Sequence, residues 1–159
     1  MAIIQDSGKR REFETGAVRD IAEGKGRCDL LPLDIISSIY GDKILSLIYG
    51  FILTGETEFL RNVITQFSAD IFVSPHQAIL ELAKHYEDGC RKYGERNWEK
   101  GILLHCFIDS AIRHYLKFLD GQTDERHDRA VLWNLYGALW TLQHHPEMND
   151  LPFARTEKE

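Results

Sequence analysis

Between Pro32 and Gln143 the apolar residues recur at three- and four-residue spacings in one segment after another, and no stretch alternates with the two-residue period of a strand. That pattern leaves an all-α helical bundle as the fold class. Ser74-Pro75 is a strong start signal, Ser as N-cap and Pro in the first turn, and opens a helix with Ile79, Leu82, Ala83 and Tyr86 on one face, ending near Gly94. A helix from about Leu103 to Leu119 carries the stripe Leu104, Ile108, Ala111, Ile112, Tyr115 and Leu119, with Gly121 as its stop. The last begins near Thr123 or Asp124 and runs to about Gln143. Its middle, Val131 to Leu142, is apolar on nearly every side except Asn134, as in a helix central to a bundle or an oligomer. Three shorter segments precede these: one opened by Pro32, then Asp42–Leu53 and Glu56–Phe67.

The 159 residues, 43% hydrophobic, suffice for one domain with one core. Residues 1–31 read as an irregular Gly-rich segment, an ordered arm or loop without strands, and 147–159 as a flexible tail. A formal charge of −6 argues against a nucleic-acid-coating protein, so any anionic ligand needs a local basic cluster or metal ions. Cys28, Cys90 and Cys106 lack paired spacing, which suits a reducing cytoplasm. No membrane span and no secretory leader are expected.

The connection KYGERNWEKG at Lys92–Gly101 holds more chemistry than a turn requires. On the helix before it, Glu87 shares a stripe with Ala83, Leu80 and Cys90 at the margin of the buried face; the plainer alternative is an i,i+4 pair with Arg91. Asp109 lies along the stripe of Ile112 and Leu116, with Arg113 offering the same alternative. Two such carboxylates on successive helices suit a hard cation held in a bundle core. His127 and Asn134 share a face of the last helix. A buried Asn134 needs a bonded partner, whether ligand or structural. In the arm, Arg19, Lys25 and Arg27 stand among glycines that permit close approach to a phosphate, yet Gly24-Lys25-Gly26 is not a Walker A loop, and a flexible charged arm is the simpler reading. Trp98 and Tyr93 offer rings for a base, although packing is the commoner employment of such rings.

FETGAVRD at Phe13–Asp20, EGKGRCDLLP at Glu23–Pro32, KYGERNWEKG, the segment of Asp109, Arg113 and His114, and HDRAVLWN at His127–Asn134 together resemble the phage and prophage dATP/dGTP diphosphohydrolase (pyrophosphohydrolase) N-terminal domain family. That family is similar to the all-α MazG-type nucleoside-triphosphate pyrophosphohydrolases. The resemblance implies Mg²⁺- or Mn²⁺-dependent cleavage of dGTP or dATP to the monophosphate and diphosphate, in the cytoplasm of a bacterium or phage host, by a homo-oligomer such as a dimer or tetramer. In phages that replace adenine by 2-aminoadenine, it implies a supply of dGMP to that pathway. MazG relatives carry E-x-x-E and then E-x-x-D. Glu87 and Asp109 match the final acid of each, whereas Lys84 and Cys106 stand where the first acids belong; Glu125-x-x-Asp128 offers replacements.

The resemblance thus implies metal ligands among Glu87, Asp109, Glu125, His127 and Asp128, with Glu87, Asp109 and His114 catalytic. Lys92, Arg96, Arg113 and His114 would offset charge on the leaving diphosphate. Asn97, Trp98, Asn134 and the arm residues Thr15, Arg19, Lys25 and Arg27 would shape the nucleotide pocket. Two other readings compete. One is an HD-type triphosphohydrolase using His114, His127, Asp128 and Asp150. The other is a non-enzymatic helical module whose Trp133 and Trp140 form an oligomer surface.

Overall fold

The computed structural model describes residues 7–153, and within them the chain is a six-helix bundle with a small hairpin laid across it. The expectations for residues 1–6 of the arm and 154–159 of the tail lie outside the described residues. Helices α1 (Leu33–Tyr40), α2 (Lys43–Thr54) and α3 (Thr57–Ile71) are followed by the longer α4 (Pro75–Tyr93), α5 (Leu104–Leu119) and α6 (His127–His144).

Two of the starts, those of α2 and α4, are set by side-chain caps. Ser74 Oγ accepts the Gln77 amide at 3.1 Å with Pro75 in the first turn of α4, and Asp42 Oδ1 accepts the Leu45 amide of α2 at 2.9 Å. Asp42 also accepts the Tyr115 hydroxyl at 2.6 Å, which ties the start of α2 to α5.

Helices α5 and α6 form the central pair. Ile108, Ile112, Leu132 and Leu135 are almost completely buried, each contributing about 1.5–3 kcal/mol through removal from water. Gly137 lets α6 close on α5, because a Cβ there would stand 2.5 Å from the Phe107 ring. Helices α1 to α3 cover one flank and α4 packs on α6.

Four expectations are corrected. The described arm holds strands where none was expected: β1 (Arg10–Glu12) and β2 (Val18–Asp20) pair antiparallel, Arg11 opposite Arg19. Three-residue strands are too short to show alternation in a sequence. The face that α4 buries carries Ala78, Leu82 and His85, while Ile79 is 53% exposed and Ala83 is also exposed, a rotation of the assigned stripe. Helix α6 starts at His127, so Asp124 and Glu125 lie in the loop before it, and Glu125-x-x-Asp128 is not one helical motif. The tail is docked as far as residue 153: Leu151 is 2% exposed and Phe153 packs edge-on against Phe51 and over Gly55. No helix among the described residues is long and apolar enough to cross a membrane.

Candidate functional site

The KYGERNWEKG connection works by gripping the arm. Its Asn97, 5% exposed, presents a side-chain amide to Val18 as a neighbouring strand would, accepting the Val18 amide at 2.8 Å and donating to the Val18 carbonyl at 2.8 Å. Tyr93 Oη accepts the Asp20 amide at 3.1 Å, and the Thr15 hydroxyl donates to the Gly101 carbonyl at 2.5 Å. A second clamp comes from α5. Asp109 Oδ1 accepts the Cys28 amide at 2.6 Å, while Arg113 donates both to Asp109 Oδ2 at 2.5 Å and to the Gly26 carbonyl at 2.6 Å.

Arm, α4, α5 and α6 thereby enclose a cavity of about 290 Å³. Arg11, Arg19, Lys25, Lys92, Arg113 and Lys117 line it against Asp20, Asp124 and Glu125, so a chain of formal charge −6 presents a cationic pocket. Tyr93 and Trp133 supply aromatic wall, with His85, Asn97, Ser110, His114 and Asn134 as further polar lining. Such a mixture suits an anionic ligand with a flat ring.

Arg19 is the central cation. It donates to Asn134 Oδ1 at 3.0 Å and lies 5.4 Å from the Phe107 and 5.3 Å from the Trp133 ring centroids. Burial pulls its pKa down to about 10, and its Nη1 is buried with no hydrogen-bond partner among the described residues. A guanidinium so placed has bonding capacity to spare for an incoming acceptor. Asn134 completes its own bonding through the Ala130 carbonyl at 2.8 Å, so its need for partners is met by Arg19 and its own helix.

At the far end, His114 Nδ1 and His127 Nδ1 stand 2.9 Å apart, with Glu125 Oε1 3.4 Å from the first and 3.9 Å from the second. His127 is 2% exposed, and Asp124 Oδ1 holds its Nε2 at 2.8 Å. Burial, then His127, lowers the His114 pKa well below its ordinary value. Burial, followed by the charges of Arg129 and Arg19, lowers His85 to about 4, so both rings are neutral at neutral pH.

Of the expected site residues, Arg19, Lys25, Lys92, Asn97, Arg113, His114, Glu125 and Asn134 line this cavity, and His127 stands behind it against His114. Others are placed elsewhere. Glu87 has a side chain 64% exposed and pairs with Arg91 at 2.9 Å, because the face it occupies is the solvent face of α4. Asp109 is buried, but its two oxygens are bonded to Cys28 and Arg113, so it is a clamp. Asp128 is held by both nitrogens of an Arg126 fork, at 3.0 and 2.8 Å. Among the described residues, none of these three belongs to a group of converging metal donors.

Arg27 pairs with Asp29 in a fork at 2.8 Å, and Arg96 binds Glu99 on the surface. Thr15 is spent on Gly101. Trp98 packs between Tyr86 and Trp140, at ring separations of 5.5 and 4.8 Å. Trp133, next to Asn134, walls the cavity, and Trp140 packs against Trp98 and His144. The HD-type set does not assemble, since Asp150 bonds His105 and Asp128 bonds Arg126.

Sequence reasoning passed over His85, Lys117 and Arg11. Helical spacing was a signal for two of them: Lys117 follows Arg113 by four residues on α5, and His85 precedes Lys92 by seven on α4.

No curated protein and no solved structure matches the chain. The family model described as dATP/dGTP diphosphohydrolase, N-terminal, matches residues 62–151, which contain α4, α5, α6 and most of the cavity wall. That match covers more than half of the 159 residues, and the chain belongs to the dATP/dGTP diphosphohydrolase N-terminal family.

Proposed function

We propose that this chain hydrolyses dATP or dGTP to the deoxynucleoside monophosphate and diphosphate in the cavity between the arm and α4 to α6. The observation that carries the reading is the concentration of six cationic side chains against three acidic ones in a pocket of an otherwise acidic protein. A triphosphate is the ligand class that most rewards such a reversal of sign.

Arg19, Arg113, Lys92 and Lys117 are placed to hold the phosphate oxygens and to stabilise charge gathering on the diphosphate as its bond to the α-phosphorus breaks. Trp133 and Tyr93 supply aromatic surface for the purine. A neutral His114 has a lone pair to offer an attacking water or an ion. For the Mg²⁺ or Mn²⁺ that the resemblance implies, two of the expected ligands stand near each other, Glu125 in the cavity lining and His127 behind it at 3.9 Å. A divalent ion held there would supply a polarised water and charge neutralisation.

Incubation with each dNTP and Mg²⁺ or Mn²⁺, with products separated by chromatography, tests the reading. Monophosphate and diphosphate from dATP or dGTP support it; nucleoside and triphosphate would place the chain with the HD-type enzymes. No turnover of any nucleotide would leave a binding module.

A further inference from the structure

Three donor atoms from two helices and a loop converge where the cavity ends. Two ligands each about 2.1 Å from one ion can stand no more than about 4.2 Å apart. The spacings of 2.9, 3.4 and 3.9 Å among His114 Nδ1, Glu125 Oε1 and His127 Nδ1 all lie within that limit. The orientation of His127 is fixed from outside. Its Nε2 faces Asp124 Oδ1 at 2.8 Å, so that nitrogen carries the proton and donates it, and in the neutral ring Nδ1 is left as a bare lone pair aimed at the cluster. A carboxylate behind a histidine in this way is the arrangement that orients imidazole ligands on metals.

His114 Nδ1, 2.9 Å away, shares a proton with His127 Nδ1 and becomes a second nitrogen ligand once that proton is displaced to its Nε2 or to solvent, and the Glu125 side chain, 10% exposed, supplies the negative charge. Resting on the reading of the cavity as a triphosphate site, we propose that His114, Glu125 and His127 ligate a single divalent first-row transition ion of the manganese or zinc kind, in preference to magnesium. The donor set decides the class of ion. Magnesium favours oxygen ligands and retains its waters, whereas imidazole nitrogens suit transition ions. Three protein ligands at a cavity wall leave coordination positions open to water and phosphate oxygen.

The test uses the full chain, stripped with chelator and titrated with Mn²⁺ alone, reading free Mn²⁺ by electron paramagnetic resonance. Expected are one bound ion per chain, retention against a hundredfold excess of Mg²⁺, and affinity weakened by at least about tenfold in His114→Gln and in Glu125→Gln. Glu125 lies in a loop, so its variant tests the site without a helix substitution; circular dichroism establishes that both variants are folded. Glu87→Gln, on the solvent face, is expected to bind Mn²⁺ as the parent does. Absence of binding to the folded parent, parental affinity in both variants, or release of Mn²⁺ by equimolar Mg²⁺ would overturn the proposal. The readout needs no nucleotide. Turnover of dGTP alongside unchanged Mn²⁺ binding in both variants overturns the metal site and leaves the hydrolysis standing. Binding lost in both variants while the Mn²⁺-loaded parent hydrolyses no nucleotide upholds the site and removes the hydrolysis.

Discussion

His85 on α4 and His105 on α5 carry opposite electrostatic loads. Bonds to Asp150, then to Cys106, raise the His105 pKa to about 10, while burial lowers His85 to about 4. The two signs bracket a pH optimum. His105 binds its proton more tightly folded than unfolded, so its stabilisation is complete below about 6.5 and is lost as pH rises from there towards 10. His85 resists protonation when folded, so its contribution is present above about 6.5 and falls away as pH drops towards 4. Thermal unfolding midpoints are therefore expected to peak near pH 6.5 and decline on both sides. His105→Ala should flatten the alkaline limb and leave the acid limb, and a scan of unfolding against pH checks this. Retention of the alkaline limb in that variant would show that the tether between Asp150 and α5 does not govern it.

At the scale of elements, the hairpin arm and the central helix pair can be perturbed separately. Asn97 supplies two hydrogen bonds to Val18, its side-chain amide presenting acceptor and donor together as a strand backbone does. Asn97→Ala is expected to leave the Val18 amide and carbonyl unpaired, to speed amide exchange across Val18–Asp20, and to raise KM for the nucleotide as Arg19 loses its position. Exchange measured by mass spectrometry, beside steady-state kinetics, tests this; unchanged exchange would mean that the hairpin holds without its clamp. Gly137 tests the other contact. A methyl group there meets the Phe107 ring at 2.5 Å, and Gly137→Ala should cost about 1–3 kcal/mol in denaturant unfolding.

The helices themselves were legible because caps and periods are local: Ser74-Pro75 starts α4 where expected, and the stripe of α5 is buried from Leu104 to Tyr115, leaving only its last member, Leu119, exposed. The face of α4 was less so. Its apolar residues Ile79, Leu80 and Ala83 nearly form a stripe of their own, and only packing against α6 selects Ala78, Leu82 and His85 instead. The hairpin was invisible for a related reason, since its pairing is completed by Asn97 and Tyr93, more than seventy residues away.

For the whole molecule, the consequence of folding is a separation of charge. A chain of net −6 gathers arginines and lysines from the arm, α4 and α5 around one cavity. Attraction of a triphosphate to that cavity is screened by salt, with a screening length near 10 Å at about 0.1 M. KM for dATP or dGTP should rise severalfold between roughly 0.05 and 0.5 M salt while kcat changes little. A salt-independent KM would indicate that the cationic lining does not hold the phosphates.

Sequence alone determined the all-α class and the order of the helices, because caps and periods are properties of neighbours along the chain. Arg19, Lys92, Arg113, His114, Glu125 and His127 were named as candidates from the sequence and the family it resembles, without their contacts. What each of them touches was decided only by tertiary structure. Glu87 and Asp109 both have an arginine four residues on, yet one faces water and the other anchors the arm. Burial is a property of the assembled helices, and it is burial that separates a solvated ion pair from a clamp and sets two imidazoles and a carboxylate side by side.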